Sequence, residues 1–281
     1  MLNRLVIIGP GLIGGSLGKA VIARSLAREV VGVFRQESSL NKALALNAVT
    51  KGYISNYEAS IKGAEMVVIA TPVHIIKDVL LNLSRVESKG FIVTDVGSTK
   101  KEIVDFAKTF SGKFKFVGGH PLAGSEKTGV EFSQPNLFEK AVCVLTKDKD
   151  TDESAVKTVK NLWESTGALV DVLSPSEHDS ILAFTSHLPH IVAYSLVNSE
   201  DSKYSRYMAS GFRDTSRIAS SDSILWNSIL MSNRANVLYA ISIFKKNLDI
   251  LEGAIANGDT ELLIKKIKEA QEVRDEIYGA T

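Results

Sequence analysis

Short runs of β-branched and other apolar residues alternate with amphipathic stretches along the first 171 residues of the chain. A strand covered by helices on both faces reads as a continuous apolar run, whereas a strand with one wet face alternates apolar and polar residues. The runs are of the first kind and predict an α/β fold with a mostly parallel sheet. The predicted strands are 4–8, 30–34, 66–70, 91–95, 115–117, 141–145 and 168–171.

The strand signal ends after Leu173, and the rest of the chain has the periodicity of helices. Ser174 followed by Pro175 has the form of a helix start. Farther on, apolar residues recur every three or four positions, as on one face of a helix, at Leu238, Ile241, Phe244, Leu248, Leu251 and Ile255. We therefore expect an N-terminal sheet domain, 1–172, and an all-helical C-terminal domain, 173–281.

The apolar face between 238 and 255 fits both the core of the helical domain and a subunit interface. A small helical domain that follows a sheet domain can supply both surfaces. We expect the face to act as an interface, which makes the C-terminal part a dimerisation domain and the protein a homodimer.

The first predicted strand runs directly into a glycine-rich turn that opens a helix. Gly9, Gly11 and Gly14 have the G-x-G-x-x-G spacing of a dinucleotide-binding turn. The first glycine permits the tight turn, the second lets backbone approach a pyrophosphate, and the third lets the helix pack on the strand. Leu12 and Ile13 open the helix, whose positive end faces the phosphates. The sheet domain is therefore predicted to be Rossmann-like.

The end of the second predicted strand indicates which dinucleotide binds. An acid about 20 residues after the glycines is typical of NAD sites, whereas an arginine suits the 2′-phosphate of NADP. Arg35 stands at this strand end and Ser38 can add a hydrogen bond, so NADP is our first expectation. NAD is the alternative, with Glu37 on the ribose. Thr71 and Pro72, which follow a later strand, complete the predicted cofactor site.

Bulk composition disfavours several classes of protein. The 281 residues include 33 basic and 32 acidic ones, and the formal net charge of +1 gives no general attraction to nucleic acid or anionic membranes. No apolar run approaches the roughly 20 residues of a membrane-spanning helix, and we expect a cytoplasmic protein. The single cysteine, Cys143, lies in an apolar run and is expected to be a buried thiol.

Candidate chemistry is concentrated in two glycine-containing segments that follow predicted strands. In an open parallel sheet, ligands bind beyond the carboxyl ends of the strands. His120 follows the strand at 115–117, where an imidazole can accept a proton from an alcohol while hydride leaves the same carbon. Ser98 follows the strand at 91–95, where it either caps the next helix or meets His120 and the ligands.

Five segments together resemble the family of prephenate dehydrogenase and its relative arogenate dehydrogenase, enzymes of tyrosine biosynthesis. They occur in family order and cover both predicted domains. The segments are GPGLIGGS at 9–16, TDVGS at 94–98, GGHPLAGSE at 118–126, SHLPH at 186–190 and GFRDTSR at 211–217.

The resemblance implies a role for each matching residue. His120 is expected to be the general base on the ring hydroxyl of the substrate, with Ser98 beside it. His187 and Arg217 are expected to hold the substrate, Arg217 through the ring carboxylate. The other residues implied at the site are an ionic pair near the entrance, Glu126 with Arg213, and an aromatic residue near the pocket, Trp226.

The reaction that the resemblance implies is an oxidative decarboxylation with NAD or NADP. Prephenate gives 4-hydroxyphenylpyruvate, and arogenate gives tyrosine. Asp179 either supplies a carboxylate for the ammonium group of arogenate or pairs locally, and the segment around Arg35 resembles NADP-using arogenate enzymes. Prephenate, the commoner substrate among bacterial enzymes, is our first expectation and arogenate the alternative.

Three other classes fit the sequence less well. A β-hydroxyacid dehydrogenase needs a catalytic lysine in a glycine-rich helix of the second domain, which this sequence lacks. A non-enzymatic NADP sensor leaves His120, His187 and Arg217 without a function. No metal is expected, because His178, His187 and His190 lack the pattern of an open ligand set. His190 is expected to be structural.

Overall fold

The computed structural model describes residues 1–125 and 127–279, and within them every side chain except that of Ser202. The strands are β1 (Leu2–Ile8), β2 (Ala27–Phe34), β3 (Lys51–Ile54), β4 (Met66–Ile69), β5 (Ile92–Asp95), β6 (Lys115–Pro121), β7 (Val142–Thr146) and β8 (Leu169–Leu173). The α-helices are α1 (Leu12–Ala23), α2 (Glu37–Ala45), α3 (Tyr57–Ile61), α4 (Val73–Arg85), α5 (Lys101–Lys108), α6 (Glu153–Ser165), α7 (Pro175–Leu182), α8 (Leu188–Asn198), α9 (Ser210–Ser216), α10 (Ser223–Ser232), α11 (Arg234–Ala256) and α12 (Thr260–Tyr278).

The strands form one mostly parallel sheet, as predicted, and their order in the sheet is β3-β2-β1-β4-β5-β6-β7-β8. Only the pairing of β6 with β7 is antiparallel among the described strands, so β7 and β8 run against the others. The chain moves outward from β1 to β3 and then returns to the other side of β1 at β4. This reversal opens a crevice at the carboxyl ends of β1 and β4, where Rossmann-like sheets bind dinucleotides.

Alternate residues of β1 belong to two apolar clusters, one on each face of the sheet. Leu5 and Ile7 pack with residues of α1 and α6, whereas Val6 and Ile8 pack with residues of α4 and α5. All four side chains are buried, and each such burial stabilises the fold by about 1.5–3 kcal/mol. Burial on both faces is the reason why the strand is an unbroken apolar run.

Two strands differ most from the sequence-based prediction. The prediction missed β3, an edge strand of four residues in which Lys51 and Ile54 are exposed, so no apolar run marks it. The predicted strand at 115–117 continues as β6 to Pro121, because β7 pairs with its last four residues and His120 lies opposite Val144. His120 is therefore a strand residue rather than a loop residue.

The helical run after the sheet begins and bends at identifiable residues. The Ser174 side chain accepts the N–H of Glu177, whose carboxylate accepts the N–H of Ser174, so a capping box starts α7. A π turn at Ala183–His187 then joins α7 to α8. Pro189 follows this turn, and a proline cannot donate the hydrogen bond that a regular helix requires there.

By length and composition alone, the run Pro175–Asn198 is apolar enough to cross a membrane. Within it, however, the buried His178 contacts His120 of β6, and the buried Asp179 accepts backbone N–H groups at the start of α5. Through these contacts α7, the first part of the run, packs against β6 and the start of α5.

The chain divides into two compact units, Met1–Asn233 and Arg234–Thr281. Helices α7 to α10 group with the sheet, since α10 contributes Ile229 to the apolar cluster under α4 and α5. The second unit contains α11, which includes the helix predicted between 238 and 255, and α12. β8 ends at Leu173 and α7 begins at Pro175, so the change from strands to helices lies next to the predicted domain boundary at residue 172, which stays a prediction.

Candidate active site

A cavity of about 820 Å³ lies within the first unit, at the carboxyl ends of β1, β4, β5 and β6. Helical residues from α8 and from the segment 217–229 form its other wall. Among the residues predicted for the site, those that border the cavity are Gly11, Leu12, Ile13, Thr71, Pro72, Ser98, Arg217 and Trp226. The cavity therefore joins the predicted cofactor loop to part of the predicted substrate site.

The glycines of the first turn each meet a different steric constraint. Gly9 has a φ of +80°, and a Cβ there would lie 2.9 Å from Cγ2 of Thr71. A Cβ on Gly14 would lie 2.8 Å from the Cβ of Ala70, so α1 approaches β4 more closely than a side chain allows. A Cβ on Gly11 would have no protein atom within 4 Å, which leaves room for a ligand beside the backbone.

The start of α1 offers hydrogen-bond donors at the same place. Leu12 and Ile13 are its first two residues, and backbone N–H groups in a first helical turn have no carbonyl partner within the helix. Together with the open face of Gly11, these donors and the helix dipole suit a pyrophosphate. The residues present thus fit a dinucleotide.

Arg35 and Ser38 lie beside the glycine turn but outside the cavity wall. Both are exposed at the carboxyl end of β2, whose Val33 carbonyl accepts the N–H of Gly9 at 3.0 Å. Glu37, the acid that would favour NAD, is exposed in the first turn of α2. The cation and the acid therefore stand at the same strand end, as the sequence predicted.

A buried ion pair ties the end of β5 to the end of β6. Lys100 and Asp95 pair with both side chains fully buried. The Asp95 carboxylate accepts the N–H of Gly97 at 2.9 Å and that of Gly119 at 3.1 Å, and Lys100 Nζ donates to the Gly119 carbonyl at 2.7 Å. A Cβ on Gly119 would lie 2.7 Å from the Asp95 carbonyl oxygen, so the close approach requires glycine.

Ser98 and His120 follow these tied residues directly. Ser98 comes one residue after Gly97 and borders the cavity. His120 comes one residue after Gly119, is half-buried, and lies two residues before Leu122, which also borders the cavity. The ion pair thus fixes the backbone on which both side chains stand.

The imidazole of His120 is the first member of a hydrogen-bonded chain. Its Nδ1 lies 2.9 Å from Nε2 of His178, whose Nδ1 lies 2.8 Å from Oδ1 of Asp179. The Asp179 carboxylate also accepts the backbone N–H groups of Lys100 at 2.7 Å and Lys101 at 2.9 Å, at the start of α5. Asp179 therefore pairs locally, which is one of the two roles that the sequence left open.

Burial keeps these histidines neutral at ordinary pH. Burial lowers the pKa of His120 well below its usual value, and the nearby His178 and Lys100 lower it further. Burial also lowers the pKa of His178, although the Asp179 carboxylate opposes this effect. A neutral imidazole carries one proton and one free lone pair, so it can act as a base.

The sequence predicts that His187 holds the substrate and that His190 is structural, but the structure places the two histidines the other way round. His187 is buried, its Nδ1 accepts from the side-chain amide of Asn233 at 3.2 Å, and burial lowers its pKa to about 4. His190 borders the cavity, stacks on Trp226 with ring centres 3.4 Å apart, and donates from Nδ1 to the Ser186 carbonyl at 3.0 Å. His190, expected to be structural, is thus the one that faces the cavity.

The remaining predicted residues fall into three groups. Arg217 and Trp226 border the cavity, which suits the substrate roles expected of them. Arg213 is exposed in α9 and does not border it. Glu126, the expected partner of Arg213, lies outside the described residues.

Sequence reasoning missed His178 and Lys100 as parts of the site. His178 was considered only as a metal ligand, and the described part of the chain brings together no group of three or more histidine, cysteine or acidic side chains suited to a metal ion. An adjacent His-Asp pair in the first turns of a capped helix was the available signal. Nothing in the sequence showed that this pair meets a strand residue 58 positions away.

Family models match nearly all of the chain. The model described as prephenate dehydrogenase, nucleotide-binding domain, matches residues 17–172, and the model described as prephenate dehydrogenase, dimerization domain, matches residues 174–269. Among curated proteins, prephenate dehydrogenase of Bacillus subtilis is 35% identical over 98% of this chain and 76% of its own length. Cyclohexadienyl dehydrogenase of Zymomonas mobilis is 30% identical over 97% of this chain and 95% of its own length.

Solved structures give the same likeness. Prephenate dehydrogenase from A. aeolicus, in complex with hydroxyphenyl propionate and NAD+, has a TM-score of 0.93 at 35% identity and covers 99% of both chains. Synechocystis arogenate dehydrogenase has a TM-score of 0.85 at 29% identity and covers 98% of this chain and 99% of its own. A Mycobacterium tuberculosis 3-hydroxyisobutyrate dehydrogenase has a TM-score of 0.51 at 11% identity and covers 69% of this chain and 64% of its own. This likeness shows the fold alone.

Replacement of Lys100 by methionine should destabilise the protein strongly, because it leaves the Asp95 carboxylate buried without a counter-ion. Removal of one partner of a buried pair costs about 3–5 kcal/mol. Urea unfolding followed by tryptophan fluorescence measures the change, since Trp163 and Trp226 both lie in the first unit.

The matched control is Lys101→Met, which removes an exposed ion pair with Asp105 and should cost less than about 1 kcal/mol. The double variant Lys100→Met, Asp95→Asn lacks the buried charge as well, and it should recover part of the lost free energy of unfolding. Equal effects of the two single lysine substitutions would contradict the role given to the buried pair.

Proposed function

This chain belongs to the prephenate dehydrogenase family, and on that premise we propose that it oxidises and decarboxylates prephenate to 4-hydroxyphenylpyruvate. The observation that carries the proposal is the imidazole of His120, held by His178 at the end of β6, two residues before Leu122, which lines the cavity together with the glycine turn, Arg217 and Trp226. A nicotinamide dinucleotide bound at the glycine turn supplies a hydride acceptor for the ring carbon that bears the hydroxyl.

His120 acts as the general base in this proposal. Its Nδ1 is engaged by His178, so Nε2 is the ring nitrogen left to accept the proton of the substrate hydroxyl. As the O–H bond breaks, its electrons form the ring C=O while hydride departs from the same carbon. Positioned proton transfer of this kind is worth about 10²- to 10⁴-fold in rate.

Arg217 binds the ring carboxylate and holds the ring in place. Its guanidinium borders the cavity, where a planar fork of donors matches a carboxylate. After oxidation the ring carboxylate is a vinylogous β-keto acid. It leaves as carbon dioxide, and the electrons of the broken C–C bond pass through the ring to the carbonyl oxygen. The ring becomes aromatic, and the proton held by His120 returns to this oxygen to give the phenol hydroxyl of the product.

The surroundings of Asp179 support prephenate over arogenate. This carboxylate is the one that the sequence offers to the ammonium group of arogenate, but both its oxygens already accept hydrogen bonds, from His178 and from the start of α5. Arogenate remains a second candidate because Asp222 borders the cavity and is the only acidic residue among its described lining residues.

The assay that tests the proposal offers the purified protein prephenate or arogenate with NADP or NAD. We expect reduced cofactor to form with prephenate, with 4-hydroxyphenylpyruvate as the product. Turnover of arogenate alone would select the second candidate. Absence of reduced cofactor with either compound, in a protein that binds dinucleotide, would overturn the enzymatic proposal.

Replacement of His120 by asparagine should lower kcat about 10²- to 10⁴-fold with little change in KM, since the base is lost and the carboxylate contact remains. In the wild type, kcat should fall with decreasing pH only well below the usual histidine range, because burial depresses the pKa of His120 and a protonated base cannot accept a proton. The matched control is His74→Asn, at an exposed histidine bonded to Ser228 outside the cavity wall.

We further propose that NADP is the preferred cofactor and that Arg35 and Ser38 bind its 2′-phosphate. Arg35→Ala should then raise the KM for NADP about 10- to 100-fold and leave that for NAD nearly unchanged, because a charged hydrogen bond is worth about 1.5–3 kcal/mol. Arg28→Ala, at the amino end of the same strand, is the control. Equal changes for the two cofactors would remove the phosphate role.

We also propose that the protein is a homodimer through α11 and α12. Leu248 and Ile255, two residues of the predicted apolar face of α11, are 51% and 67% exposed. Light scattering should give twice the mass of the chain. The double substitution Leu248→Asp and Ile255→Asp should give monomers, whereas Lys246→Asp on the polar side of α11 should not. A monomeric wild type would refute the proposal.

A further inference from the structure

The carboxylate of Asp179 can only accept hydrogen bonds in the place where it lies. Backbone N–H groups of Lys100 and Lys101 point at its two oxygens, and the start of α5 favours negative charge there. The side-chain amide of Asn233 donates to the Asp179 carbonyl at 2.6 Å and helps to hold this residue. The contact of Oδ1 with His178 at 2.8 Å therefore requires that Nδ1 of His178 carries a proton.

The position of that proton determines the next one along the chain. A neutral His178 with its proton on Nδ1 has a free lone pair on Nε2. That lone pair faces Nδ1 of His120 at 2.9 Å, so Nδ1 of His120 must be the donor. The opposite arrangement would set two lone pairs against each other in a buried place. A neutral His120 then has no proton on Nε2.

We propose that His178 and Asp179 are positioning residues that fix His120 in the tautomer with a proton on Nδ1, so that Nε2 is free to take the substrate proton. The kinetic consequence rests on the proposed function, whereas the tautomer is a property of the protein alone. The arrangement has the logic of an orienting carboxylate in a catalytic triad, with a second imidazole between carboxylate and base.

The other charged or titratable groups near His120 do not compete for its Nδ1. Lys100 Nζ is engaged by Asp95 and by the Gly119 carbonyl. His187 accepts at its own Nδ1 from the side-chain NH2 group of Asn233, which can only donate. The contact with His178 is therefore the one that selects the tautomer.

The first test reads the tautomer directly by NMR of protein with ¹⁵N-labelled histidine rings. The chain has five histidines, and loss of one signal set in His120→Asn identifies His120. We expect its Nδ1 to be protonated and its Nε2 to be unprotonated at neutral pH. A proton on Nε2 would overturn the proposal. Because no substrate is present, this result is independent of the reaction that the protein catalyses.

The second test compares two substitutions of His178. In His178→Gln the amide oxygen can still accept from Nδ1 of His120, whereas His178→Leu offers no acceptor. We expect kcat to fall about 10²- to 10⁴-fold in the leucine variant, as for loss of the base, and to stay within roughly tenfold of the wild type in the glutamine variant. KM should change little, because His178 does not border the cavity.

NMR of ¹⁵N-labelled histidine rings in the same two variants shows which nitrogen of His120 carries the proton. The glutamine variant should keep the proton of His120 on Nδ1, and the leucine variant should show it on Nε2 or divided between the two nitrogens. Equal kcat values for the two variants, or an unchanged tautomer in the leucine variant, would refute the proposal. If the leucine variant does not fold, the wild-type and glutamine spectra still decide it.

Discussion

The candidate active site depends on the buried ion pair between Asp95 and Lys100. The attraction between the charges of a buried ion pair is largely offset by the cost of removing them from water. The pair therefore affects the position of its neighbours more than the net stability of the protein. It binds backbone groups of Gly97 and Gly119, which lie just beyond the last residues at which β5 and β6 pair with each other. Lys100 also begins the turn whose N–H groups hold Asp179, so one short segment orients both ends of the histidine chain.

Local patterns in the sequence predicted the elements that depend on local physics. Unbroken apolar runs marked the strands buried on both faces, and Ser174 with Pro175 marked the start of α7. The glycine turn was recognisable because its steric demands act between residues that are close in sequence. The edge strand β3 was missed since half of it faces water, and the extension of β6 depends on a partner strand that follows it in the chain.

The less predictable part of the site comes from contacts between distant segments. His187 and His190 are three residues apart, a spacing that puts two side chains on neighbouring parts of one regular helical face. The π turn that ends at His187 changes this relation, so that one ring is buried beside Asn233 and the other stacks on Trp226 at the cavity. Similarly, the pairing of His120 with His178 exists only once α7 packs on β6. No local pattern reports either arrangement.

One wall of the cavity is formed at the ends of strands, and the other is formed by helical segments. Strand ends tied by buried charges carry His120, the proposed base. Arg217 and Trp226 stand on helical segments and Asp222 caps one of them, and among the described residues no buried ion pair connects these segments to His120. Substitutions in the helical wall can alter which side chain of the substrate is accepted and leave the base in place. Substrate preference is therefore free to drift during evolution while the reaction itself is conserved.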